Sequence, residues 1–159
     1  MDVTAELDAA CPPEALFAWV EDLGRYPAWL DIVPRAEPDD GPAEGDGRPA
    51  WSVDLRGRLG PLARSKRLRM VRTVHEAPNV VVFEREERDG RSHAAWVLRA
   101  EVAPLDSPDH DGEPRSRLTM HLHYGGGLWG PVLERVLGDE IERSRPRLVR
   151  AITGDRAGG

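Results

Sequence analysis

The sequence predicts an α+β domain in which a curved antiparallel sheet of about seven strands wraps around one long C-terminal helix. Three observations carry that expectation: short segments with an apolar residue at every second position, Gly and Pro clusters between them, and one long helical stripe at the end of the chain. A sheet with one apolar face needs a cover, and only the final helix is long enough to supply it. A chain of 159 residues is large enough for one core and short for two.

The elements follow in order. Residues 2–8 set Val3, Ala5 and Leu7 against Asp2, Thr4, Glu6 and Asp8, the period of a half-buried strand. Pro12, Pro13 and Glu14 then signal a helix start, with Leu16, Phe17, Trp19, Val20 and Leu23 on the apolar side of a short helix ending at Gly24. Tyr26, Trp29, Leu30 and Val33 recur at helical spacing in a second short helix that Pro34 stops. Residues 36–49 are acidic and rich in Gly and Pro, which reads as a short strand and an exposed loop. Strands are expected at 50–58, 66–76 and 79–88, the last meeting Asp89-Gly90, a strong hairpin signal, before a return strand at 92–103. An acidic connection, 105–114, leads to a strand with Leu118, Met120, Leu122 and Tyr124 on one face. After Gly125-Gly126-Gly127 the helical stripe covers 128–153, with Val132, Val136 and Ile141 expected to face the sheet; Pro146 should bend the helix and Gly138 leave space beside it. A sheet curved around a single helix tends to enclose a cavity, because side chains on the concave face do not all reach the helix.

Composition narrows the function classes. The formal charge is −6 with a pI near 5.4, which removes the basic footprint that nucleic acid requires. No apolar run approaches a membrane span. The cations are 21 Arg and a single Lys66, first of all a coding bias in a chain so rich in Ala, Gly and Pro. Cys11 is the sole cysteine and has no internal disulfide partner. The stretch Leu7-Asp8-Ala9-Ala10-Cys11 follows neither a basic nor an apolar leader region, so a cytoplasmic location is expected.

The stretch from Ala10 to Leu30, Ala-Cys-Pro-Pro-Glu-Ala-Leu-Phe-Ala-Trp-Val-Glu-Asp-Leu-Gly-Arg-Tyr-Pro-Ala-Trp-Leu, resembles the opening of the START-like, helix-grip superfamily, in particular its polyketide cyclase/dehydrase branch. There a strand, a small-residue and proline turn, a helix ending in Asp and a Tyr-Pro-x-Trp segment follow one another. The resemblance implies a helix-grip fold over nearly the whole chain and a cavity for a hydrophobic small molecule of the polyketide, lipid or quinone class. It implies no universal catalytic motif and no cofactor, since members range over cyclases, lipid carriers, quinone-binding proteins and hormone receptors. Three readings follow: a polyketide cyclase or dehydratase, a non-catalytic lipid or quinone carrier, and a protein-interaction domain whose cavity is vestigial.

Candidate ligand-binding residues are those the pattern sends inward: Trp51, Met70, Phe83, Trp96, Leu98, Met120, Tyr124, Trp129, Leu133, Leu137 and Gly138. Large rings at such positions also serve as plain core. Period two counted from Phe83 carries Arg85 and Glu87 to the inner face, and Arg72 shares the face of Leu68 and Met70. An inward arginine must pair or hold a polar group of the ligand. In a cyclase, Arg85 or Arg72 would steady oxyanion charge, and Glu87 or Tyr124 would move a proton. The remaining constellations are weaker. His121 and His123, with His93 as a third candidate ligand, share a polar face with Arg117 and Thr119, so no metal is expected. Asp106, Asp109, Asp111 and Glu113 lack calcium-loop spacing. Arg64, Arg67, Arg69 and Arg72 read as outward charges facing Glu84, Glu86 and Glu101, or else as an anion patch.

Overall fold

The computed structural model describes residues 1–39, 47–59, 62–106, 111–126 and 130–158; of residues 58–59, 62–64 and 130–133 only the backbone is described. The element order is β1 (Asp2–Ala9), α1 (Pro13–Phe17), a 3-10 helix (Leu23–Ala28), β2 (Arg35–Pro38), β3 (Ala50–Leu59), β4 (Leu62–Glu76), β5 (Val80–Arg85), β6 (Trp96–Leu105), β7 (Arg115–Tyr124) and α2 (Gly130–Ala157). The seven strands form one antiparallel sheet in the order β1-β7-β6-β5-β4-β3-β2. This is the helix-grip arrangement that the sequence predicts.

The registers explain which side chains meet. Trp51 lies opposite Met70, Val53 opposite Leu68 and Leu55 opposite Lys66, so these six share the inner face. Met70 in turn lies opposite Arg85, and Arg72 opposite Phe83. A bulge between Arg72 and Val74 then shifts the parity of β4, which brings His75 opposite Val81 on the inner side. His75 there stacks on Phe17 with ring centroids 5.8 Å apart, and its Nε2 is 2.8 Å from Glu21 Oε2.

Several expected elements differ in extent, among them the second short helix, which is a 3-10 helix ending at Ala28 and does not run on to Val33. The first helix ends at Phe17 instead of running to Gly24, because the chain turns over 18–22 and restarts as the 3-10 helix. The Asp22 carboxylate accepts from the Gly24 amide at 2.8 Å and caps that restart, which lowers Leu23 and Tyr26 onto the core. The β5–β6 hairpin does not close at Asp89-Gly90. Pairing stops at Glu84 with Val97, and residues 86–95 form a longer connection in which Gly90 has a positive φ of 70°. Helix α2 continues through Pro146 to Ala157, four residues beyond the expected end.

Among the residues of α2 whose side chains are described, Leu137, Ser144, Leu148 and Ile152 are buried, a stripe at helical spacing. Its C-terminal half is tied down by polar links. Arg147 pairs with Asp31, Arg156 Nη1 donates to the Ala10 carbonyl at 3.0 Å, and Arg25 pairs with Asp155 at 3.6 Å. The helix rests mainly against β1 and β3, which lie toward opposite edges of the sheet, and so bridges the concave middle. Among the described residues no helix is long and apolar enough to cross a membrane.

Candidate functional site

A cavity of about 500 Å³ opens beneath that bridge, within the usual range of about 300–1,000 Å³ for small-molecule sites. Four groups of side chains build it. Strands β3 and β4 supply Val53, Leu55, Ser65, Lys66, Leu68 and Met70; β1, β6 and β7 supply Val3, Trp96, Leu98, Met120, Leu122 and Tyr124. The 3-10 helix and the turn after it close one end with Leu23, Tyr26, Trp29, Leu30, Ile32 and Val33, while α2 contributes Val136, Leu137, Glu140, Ile141 and Ser144. Period-two alternation presents the strand residues, so the wall is almost wholly apolar.

Among the residues singled out from the sequence, Met70, Trp96, Leu98, Met120, Tyr124 and Leu137 line this cavity. Trp51 and Phe83 lie outside its wall: they pack edge to face at 5.5 Å in solid core, and Tyr26 covers Phe83 at 6.3 Å. Gly138 also lies outside the wall, and a Cβ built there meets no atom within 4 Å, so a larger side chain at this position would not fill the cavity. Trp129 falls outside the described residues, and so does the side chain of Leu133.

The proposed polar centre is present, but it is engaged within the protein and lies outside the cavity wall. The Arg85 side chain is only 7% exposed; its Nε donates to Glu87 Oε1 at 2.8 Å and its Nη1 to the Ala94 carbonyl at 3.3 Å. Glu87 Oε1 also accepts from the Arg69 amide at 3.2 Å, so the pair fastens the end of the β4–β5 ladder. Arg72 Nη1 donates to the Glu21 carbonyl at 3.0 Å, and its guanidinium stands 5.9 Å from the Trp51 ring. Tyr124 alone of the four acid–base candidates reaches the cavity. Its ring tilts against Trp96 with centroids 4.7 Å apart, and it lies over Gly126, where any Cβ would overlap the phenol.

The sequence-based site lacks the turn after α1, although the spacing of Tyr26, Trp29, Leu30 and Val33 signals an apolar face. It also lacks Lys66, which shares parity with Leu68 and Met70. Burial holds the Tyr26 phenol far above its usual pKa, and its hydroxyl donates to the Val20 carbonyl at 3.0 Å. The Lys66 ammonium is held below the usual lysine range, chiefly by lost hydration and next by Arg85, with Glu87 partly opposing. The indole N–H groups of Trp29 and Trp96 and Glu140 Oε2 are buried with no hydrogen-bond partner among the described residues.

The outer face carries ion pairs. Arg67 holds Asp54 bidentately at 2.7 and 3.3 Å, and Arg69 pairs with the Asp39 carboxylate at 2.8 Å while its Nη1 donates to the main-chain carbonyl of Glu86, one of the glutamates expected, at 3.0 Å; the Arg64 side chain is outside the described residues. His121 and His123 point outward to Thr4 and Asp2, and His93 turns to Asp89. Among the described residues no three His, Cys, Asp or Glu side chains converge as a metal ion requires. Asp109 of the acidic connection lies outside the described residues.

The model of one family, polyketide cyclase / dehydrase and lipid transport, matches residues 1–153. No sequence match is found among curated proteins. Solved structures share the fold at low identity. The protein TTHA0849 from Thermus thermophilus is 15% identical with a TM-score of 0.71, the match covering 98% of this chain and 99% of that one. A START superfamily protein from Mycobacterium smegmatis is 17% identical with a TM-score of 0.66, covering 96% and 97%. The di-domain ARO/CYC StfQ from the steffimycin biosynthetic pathway is 16% identical with a TM-score of 0.63, covering 99% of this chain and 52% of that one. With the family matched along nearly its full length and the helix-grip sheet in place, the chain belongs to the polyketide cyclase / dehydrase and lipid transport family.

Proposed function

We propose that the protein binds a hydrophobic small molecule, of the polyketide, lipid or quinone class, between the sheet and α2, and that it acts as a carrier or binding module. The apolar cavity of about 500 Å³ carries this reading. Binding without chemistry is favoured because Arg72, Arg85 and Glu87 are spent on internal hydrogen bonds. One observation supports cyclase chemistry as a second reading: Tyr124 reaches the cavity, and no hydrogen bond to its hydroxyl is seen among the described residues. The test is titration with Nile red, a neutral apolar dye. Saturable binding is expected, and Val136→Phe, which adds bulk to the cavity wall, should weaken it about tenfold or more. Dye that fails to saturate, or that binds the variant equally well, overturns the reading.

A further inference from the structure

Among the described residues the cavity wall holds two charged ones, Lys66 and Glu140, and they differ in what they already hold. The Glu140 carboxylate has its charge paired through Oε1 with Arg143 Nη1 at 3.0 Å, although its Oε2 is buried with no partner among the described residues. No hydrogen bond or ion pair satisfies the Lys66 ammonium among the described residues, whereas the neighbouring Arg85 is already closed onto Glu87. Lys66 lies opposite Leu55, and both line the cavity while Lys66 as a whole is exposed; a lysine so placed can lay its aliphatic stem along an apolar wall and keep its ammonium at the water. A cation at the point where an apolar cavity meets water is half of an amphiphile site. The missing half is an anion attached to an apolar body.

The geometry points to Lys66 as the head-group anchor of this cavity, selecting ligands that carry one carboxylate at the end of an apolar chain or ring system. This inference rests on the binding function proposed above and adds polarity and orientation to it. The apolar body lies inward along Leu68, Met70, Leu98 and Met120, and the carboxylate stays at the rim, where it keeps part of its water. The lowered proton affinity of Lys66 agrees with a partly dehydrated ammonium that lacks a partner, and an arriving carboxylate would reverse that shift. Because Lys66 is the chain's sole lysine, a substitution there removes the whole class of side chain.

The test is displacement of Nile red by dodecanoate and by its neutral counterpart, methyl dodecanoate, on wild type, Lys66→Met and Lys66→Arg. Wild type should prefer dodecanoate by about five- to tenfold, a preference that shrinks as salt is raised. Lys66→Met should lose the preference while keeping its affinity for the ester, and Lys66→Arg should restore most of it. Equal binding of acid and ester by wild type, or a preference that survives in Lys66→Met, overturns the anchor and leaves the apolar cavity standing. If neither dodecyl ligand displaces the dye, the anchor falls, while saturable Nile red binding that Val136→Phe weakens leaves the binding function standing.

Discussion

The inner face of the sheet has two regions of similar composition and opposite packing. Around β5 the residues Val81 and Phe83 are wholly buried, capped by Tyr26 and flanked by Trp51 in edge-to-face contact. Across β6 and β7 the residues Leu98, Met120, Leu122 and Tyr124 point the same way yet are only half-buried, and the cavity lies against them. What differs is the cover. Over Phe83 the 3-10 helix brings Tyr26 directly down, and beside it Phe17 of α1 stacks on His75, whereas α2 rests toward the edges of the sheet and bridges its middle. An apolar face therefore becomes core or binding site according to how closely the covering element approaches it.

The largest test of that contrast is truncation on each side. Phe83→Ala should cost about 3–5 kcal/mol, since a wholly buried ring is lost from dense core, while Leu122→Ala at the cavity wall should cost about 1 kcal/mol. Chemical denaturation of both variants checks this, and equal losses would break the contrast.

Next comes the ion pair near the packed side. Arg85→Met strands Glu87 and should cost about 2–3 kcal/mol, less than a fully buried pair because Glu87 remains 20% exposed. Nile red affinity should stay unchanged, because neither residue lines the cavity. A variant of normal stability with impaired dye binding would instead place Arg85 in the ligand site.

The smallest effect on stability belongs to Gly126. Gly126→Ala forces Tyr124 to move, because a Cβ there overlaps the phenol. Stability should change by less than about 1 kcal/mol at this partly exposed position, while dye affinity falls several-fold as the Trp96–Tyr124 wall is disturbed. Fluorescence titration checks it; unaltered binding would mean that Tyr124 contributes little to the site.

Much of the architecture was legible because alternation is a local property. Counting by two from Phe83 placed Arg85 on the inner face, where it is found beside Glu87, and the parities of β1, β3, β6 and β7 likewise match the structure. Local patterns did not reveal the bulge at Arg72/Val74, which turns His75 inward, since a bulge is an adjustment between two strands. Nor did they separate Trp51 and Phe83 from Trp96 and Tyr124. All four rings occupy inward positions, and their neighbours in space come from distant parts of the chain.

By itself the sequence determined the order of elements, the inward face of most strands and the long C-terminal cover, because these follow from spacing and turn chemistry within a few residues. Tertiary structure alone decided where the inner face is filled and where it is hollow. That outcome depends on α2 bridging from β1 to β3 and on the 3-10 helix descending over Phe83, two placements set by packing between segments distant in the chain. The same packing decided that Arg85 closes onto Glu87 and the Ala94 carbonyl, while Lys66 is left at the cavity's edge.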